Sequence, residues 1–351
     1  HMDRNRFEVV VIYPDEAVQD SLSDELRIVV DKSLSLPSSL PAQQDAISAE
    51  TLDVLFYPDI GMSQITHSLA YARLAPVQAV SWGHPDTTGL DSIDYFVSAA
   101  SIEPEDAADH YTERLVRLNR LPCFYYPPAV APGSLADRIS LGLPETGTLY
   151  GCPQSLFKFH PDFDAILAAI AEGDPTGWIV LMQGIYPAWT ELLKARWAKT
   201  FPHLSERVIF LPHVPLDRFM SLLAQMDVLL DPIHFGSGNT LYEAMVFGVP
   251  VVTWPGQFAR GRIVAGAYRQ MGIADAPVAE RLEDYAPLAL ALGQDPERRL
   301  ALRQTLMNAA KSELFCDARA VREFERFLED AVEAAGRGEK LPPTWRPTSQ
   351  T

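Results

Sequence analysis

The chain has 351 residues, 47% hydrophobic and 21% charged, which is long enough for two domains of ordinary size and too apolar for a disordered protein. A net charge of −17 excludes broad attraction to nucleic acid or to an anionic membrane, so a phosphate ligand must be held by local donors against the global field. No run of about 18 apolar residues is present, no signal segment opens the sequence, and Cys123, Cys152 and Cys316 lack metal-ligand spacing; they read as small buried thiols in a reducing, cytoplasm-like compartment.

His1-Met2 look like a cloning remnant, and the natural N-terminus is expected upstream. Residues 7–13 read as a buried strand stopped by Pro14, and 26–30 as another short apolar segment. The Pro and Ser content of 34–43 predicts a loop. Residues 52–57 form a strand whose carboxyl end carries Pro58-Asp59-Ile60-Gly61-Met62, and a helix follows over 63–73. Strand 77–82 leads into the turn 83–89, which holds His84 and Asp86, and then into strand 93–97. Strands alternating with helices imply a parallel sheet covered on both faces, with its ligand crevice at the carboxyl ends of the strands.

Prolines and glycines thicken from about 121, marking the passage out of a first lobe over 1–146. A second α/β lobe spans 147–316, with strands at 148–152, 178–182 and 208–211. Its helices start at His160-Pro161 and fill 189–200, 216–224, 260–271 and 287–312. Within it, the apolar run 227–231 gives way to the loop Gly236-Ser237-Gly238-Asn239-Thr240, a short helix ended by Gly248, and the valine-rich run 249–253. Such a loop delivers backbone N–H groups to a helix start, where an anion is favoured. Lys158, just before a helix start, gains nothing from the dipole and is better explained by an anionic ligand. A segment over 317–351 holds an amphipathic helix with apolar positions at 321, 324, 327, 328, 331 and 332, then a polar tail. No Gly-x-Gly-x-x-Gly follows the first strand, which disfavours a dinucleotide oxidoreductase, and no repeat of about 34 residues is evident.

The blocks Tyr57-Pro58-Asp59-Ile60-Gly61-Met62, Leu74 to Pro85, Ile93-Asp94-Tyr95, Tyr111 to Leu115, Arg207 to Phe210, and Gly238 through Gly256 resemble, in order, the catalytic region of the O-linked N-acetylglucosamine transferase family. The likeness covers about residues 7–328. It implies a GT-B fold, two Rossmann-like α/β domains facing across a cleft. It further implies inverting, metal-independent transfer of a sugar, most simply N-acetylglucosamine, from a UDP-sugar to a protein Ser or Thr hydroxyl, with no cofactor. On this resemblance the diphosphate meets Gly238, Asn239, Thr240 and Lys158, the ribose meets Glu243, uracil lies near Val214 and Phe219, and Gln154, Gly236 and Ser237 complete the donor-binding residues. Asp59, Gly61, Met62 and His84 fall on the acceptor side, His84 as a catalytic candidate. The family's first strand, with its His-bearing loop, is expected before Phe7, and no oligomeric state is implied.

Several residues carry a second assignment. Thr240-Leu241-Tyr242-Glu243 spells a capping box, which competes with the ribose role of Glu243. His84 equally suits a turn before Pro85, and Asp59 a turn cap. Asp162-Phe163-Asp164 imitates a metal motif but reads as an acidic first helical turn. His213 and His234 read as loop hydrogen-bonders, and Arg260 and Arg262 as packing or ion-pair residues. The alternative functions are a donor-binding but catalytically incomplete module, another acceptor, or sugar epimerisation.

Overall fold

The computed structural model describes residues 1–14, 20–131 and 133–348 and divides into two compact units, one of residues 1–123 with 318–351 and one of residues 124–317. The first unit opens with β1 (Val10–Tyr13), α1 (Ser21–Val29), β2 (Lys32–Ser35) and α2 (Leu40–Ala49). It continues with β3 (Val54–Tyr57), α3 (Gln64–Leu69), β4 (Val77–Ser81), β5 (Tyr95–Ala99) and β6 (Arg114–Leu118). All its strand pairs are parallel; β1 pairs with β2, while β3-β4-β5-β6 form a separate four-stranded sheet.

Two sequence readings are corrected here. Residues 34–43 are not one loop, because β2 ends and α2 begins inside them. Pro41 stands in the first turn of α2, where its missing N–H costs nothing. The apolar stretch 26–30 belongs largely to α1, which Asp20 and Ser23 cap reciprocally. Ser63 accepts the Thr66 N–H and so fixes the start of α3, which is shorter than the sequence suggests.

The second unit contains β7 (Leu149–Cys152), α4 (Pro161–Gly173), β8 (Trp178–Met182), α5 (Pro187–Thr200), β9 (Val208–Leu211), α6 (Leu216–Gln225) and β10 (Val228–Leu230). After these come α7 (Asn239–Met245), β11 (Val251–Val252), α8 (Ile263–Met271), α9 (Tyr285–Gly293) and α10 (Pro296–Glu313). Pro161 opens α4 as expected, and Gly272 ends α8 in the left-handed conformation with φ 66°. The strands form one parallel sheet in the order β11-β10-β7-β8-β9. That order reverses direction between β7 and β10, the topological switch point at which doubly wound sheets bind ligands. Its core gathers Tyr150, Phe163, Leu181, Trp197, Leu230 and Tyr285.

The last helix, α11 (Ala318–Gly336), returns to the first unit. Its apolar stripe of Phe327, Leu328 and Ala331 packs with Val77, Tyr95 and Val116 on one face of the sheet. The opposite face packs Leu55, Tyr57 and Val80 against Ile47 of α2 and Leu69 of α3. No helix among the described residues is long and apolar enough to cross a membrane. Of the cysteines only Cys152 is buried; Cys123 is half-buried and Cys316 exposed, so the buried reading holds for one of the three.

Candidate active site

At the switch point of the second unit, the loops leaving β7 and β10 are joined by one side chain. Lys158 closes the 3-10 turn Leu156–Lys158, and its Nζ donates to Gln154 Oε1 at 2.8 Å and to the Gly236 carbonyl at 2.9 Å. The ammonium also lies 4.8 Å from the centre of the Phe235 ring. An ammonium has three donors, and among the described residues Lys158 uses two, leaving one for a ligand. Burial lowers its pKa, while the Asp231 carboxylate pulls the other way.

Asp231, 1% exposed, organises the floor of the loop. Its carboxylate accepts the Ser237 N–H at 2.7 Å and the Thr253 hydroxyl at 2.8 Å, and burial pushes its pKa up to about 6. A Cβ on Gly236 would come within 2.8 Å of that carboxylate, so only glycine lets the loop close over it. Ser237 is buried by the same turn. Sequence reasoning gave Asp231 and Thr253 no role. The one signal for them was an acid and a hydroxyl at the carboxyl ends of two apolar runs flanking a glycine loop.

Gly238 precedes α7, and among the described residues nothing beyond its chain neighbours lies within 4 Å of where its Cβ would stand, so its bare backbone faces open space. The capping-box reading is overturned, because Gly238 is the cap residue, Thr240 already lies inside α7, and no side chain caps the helix. The Glu243 side chain is half-buried, has no hydrogen-bond or ion-pair partner among the described residues, and has its pKa raised by burial. Gln154 is buried, and its Nε2 lacks a partner among the described residues. Val214 follows β9 at its carboxyl end and Phe219 lies in the first turn of α6; both are half-buried. No hydrogen bond or ring contact joins either to Lys158 or the glycine loop among the described residues.

The residues around this cluster divide by burial. Asp164 is 2% exposed and held by the Arg196 guanidinium at 2.7 and 2.8 Å, so it is structural. Asp162 faces solvent and meets His234 Nε2 at 2.9 Å and His160 Nδ1 at 3.2 Å. The ligand atoms of His160, Asp162 and His234 lie within 4.8 Å of one another, making them the metal-capable group among the described residues. Arg260 and Arg262 brace the carbonyls of His234 and Gly256, at 3.2 and 2.7 Å, and His213 is exposed.

In the first unit, the loops after β3 and β4 pack together. Gly61, at φ 94°, lies so close to the His84 ring that a Cβ would fall 2.7 Å from it. His84 Nε2 is 3.9 Å from Asp86 Oδ2, beyond hydrogen-bond length. Asp59 turns the chain by accepting the Met62 and Ser63 N–H groups at its carbonyl, and burial raises the pKa of its carboxyl. Met62 is exposed. The structure therefore gathers Lys158, Gln154 and the glycine loop in one unit and Asp59, Gly61 and His84 in the other.

The sequence profile of glycosyl transferase family 41 matches residues 132–323. A UDP-glucose:protein N-beta-glucosyltransferase of Actinobacillus pleuropneumoniae is 27% identical over 259 residues, covering 72% of this chain and 40% of its own length. A probable UDP-N-acetylglucosamine–peptide N-acetylglucosaminyltransferase SPINDLY of Solanum lycopersicum is 28% identical over 250 residues, covering 70% of this chain and 26% of its own. A mutant of the Thermobaculum terrenum O-GlcNAc transferase superposes with a TM-score of 0.82 at 26% identity, covering 96% of this chain and 64% of that one. The chain thus spans less than half the length of these two curated relatives.

Proposed function

The chain belongs to glycosyl transferase family 41 and has the GT-B fold, and from that premise we propose that it transfers a sugar from a UDP-sugar to a protein side chain. One observation carries the reading: a half-buried ammonium with a donor to spare bridges the two loops at the switch point, beside a glycine backbone open on one side. In this proposal the diphosphate lies against residues 236–240. Lys158 offsets the charge that develops on the leaving diphosphate as the sugar bond breaks, a preorganised interaction in a partly dehydrated place. Gln154 Nε2 donates to the donor, Glu243 accepts from the ribose, and Val214 and Phe219 flank the base, Phe219 by stacking.

We further propose inversion at the anomeric carbon, N-acetylglucosamine as the sugar, and a Ser or Thr hydroxyl as acceptor. The metal-independent form assigns the cationic role to Lys158, so turnover is expected to survive EDTA. His84 and Asp59 are the acceptor-side candidates of the first unit. Glucose is the second reading, favoured by the name of the Actinobacillus relative. The test is UDP release and acceptor mass in parallel incubations with UDP-N-acetylglucosamine and UDP-glucose. Release confined to UDP-glucose would replace the proposed sugar, and binding of UDP without release from either donor would point to an incomplete module.

A further inference from the structure

Two residues away from the contact between Lys158 and Gly236, the same two loops meet a second time. His160 is the cap residue of α4, and its extended backbone, at φ −67° and ψ 149°, lets the imidazole fold back over the first turn. There its Nδ1 accepts the Asp162 N–H at 3.3 Å. His234 stands between β10 and the glycine loop, and its ring meets that of His160 edge-on, with centres 4.5 Å apart. Asp162 Oδ2 reaches both rings, at 2.9 Å from His234 Nε2 and 3.2 Å from His160 Nδ1. All three side chains are about half exposed, so solvent and its ions have free access.

We propose that His160 Nδ1, Asp162 Oδ2 and His234 Nε2 bind one divalent cation of the zinc class, which ties the donor loop to the start of α4. Bonds of about 2.1 Å to one ion set ligand atoms about 3.0 Å apart at a right angle and about 3.4 Å apart at the tetrahedral angle. The two separations at Asp162, 2.9 and 3.2 Å, match that spacing. The three atoms lie within 4.8 Å of one another, so rotation of one exposed ring brings the remaining pair into place.

The ligand set selects the ion. Two imidazoles with one carboxylate suit zinc, cobalt or nickel, whereas magnesium and calcium take shells of oxygen. Three protein ligands leave a position for water, which makes the ion exchangeable, unlike one in a closed four-ligand structural site. Charge works in the same direction. Asp162 has no Lys or Arg ion-pair partner among the described residues, and the field of a chain with net charge −17 draws cations as it repels anions. The dipole at the start of α4 opposes a cation, and the Asp162 carboxylate offsets it. Asp164, the other acid of the Asp162-Phe163-Asp164 triplet, takes no part because Arg196 holds it.

The consequence falls on the loop and not on the chemistry of transfer. His234 lies two residues before Gly236, and His160 two residues after Lys158, so the ion repeats on the rim the bridge that Lys158 makes inside. The inference does not rest on the sugar-transfer reading, since metal uptake is measured with neither donor nor acceptor present.

The test titrates the EDTA-stripped full chain with zinc chloride in calorimetry, with magnesium chloride as the control. One equivalent of zinc and no magnesium should bind. His234→Gln and Asp162→Asn each replace a ligand at an exposed position, so both variants should melt with the zinc-free wild type. Each should weaken zinc binding by at least about tenfold, since even a residue behind a metal ligand is worth about 10- to 100-fold. Amide hydrogen exchange read by mass spectrometry should slow across residues 233–237 when zinc is added to the wild type, and stay unchanged in His234→Gln. No zinc uptake, equal affinity in His234→Gln, or uptake without slower exchange over 233–237 overturns the proposal.

Discussion

Replacing Asp231 by asparagine removes a titration that burial forces on the floor of the donor loop. The carboxyl, ordinarily near 3.8, is pushed up to about 6 by burial, and the Ser237 and Thr253 donors only partly offset that. A shift of about two pKa units corresponds to about 3 kcal/mol between the protonated and ionised forms. The folded state binds this proton more tightly than the unfolded chain. Its contribution to stability is therefore fully present below pH 3.8 and is lost as the pH rises through about 6. The carboxamide of the Asp231→Asn variant cannot ionise and keeps the side-chain shape. The variant should gain on the wild type by up to about 3 kcal/mol between pH 4 and 7. Urea unfolding of both proteins at pH 4, 5, 6 and 7 gives the difference directly. A difference that does not change with pH would refute the buried, strained carboxylate. The same substitution withdraws the charge that holds the Lys158 pKa up, so UDP affinity of the variant should decline at lower alkaline pH than in the wild type.

Three further outcomes follow from single contacts. Gly236→Ala drives a methyl against the Asp231 carboxylate and should cost about 1–3 kcal/mol in thermal or urea unfolding, with UDP affinity falling alongside; unaltered stability would mean that the loop can relax. Glu243→Gln should leave the melting temperature unchanged and weaken UDP binding in calorimetry, because no cap bond depends on it; a lower melting temperature with unchanged affinity would restore a structural role. Arg196→Ala strands the buried Asp164 carboxylate and should destabilise by about 3–5 kcal/mol, with no change in the effect of added divalent metal on UDP binding; a metal response lost with Arg196 would reopen the Asp-x-Asp reading.

Much of the second unit is legible because its strands are uninterrupted apolar runs and its helices begin at marked positions such as Pro161. Residues 178–182 and 208–211 can be read to the residue. The misreadings share a cause, local chemistry that fits two states. Pro37, Ser38, Ser39 and Pro41 look like loop residues, yet Pro41 is tolerated in a first helical turn. β6 escapes recognition, as Arg114 and Arg117 interrupt its apolar pattern; Arg117 is buried by donating to the Pro104 and Glu105 carbonyls. Thr240 and Glu243 have the spacing of a capping box, but the helix starts two residues earlier than that box requires. The role of Asp231 is hidden because it depends on a loop folding back over its own strand end, which no short sequence window reveals.

UDP titration of the isotope-labelled chain, followed by amide NMR with Lys158→Ala in parallel, addresses the donor site most directly. UDP should perturb the amides of residues 236–240 and of Gln154 in the wild type, and bind more weakly to the variant. No binding, perturbations centred elsewhere, or equal affinity in the two proteins would contradict a diphosphate held by Lys158 and the glycine loop.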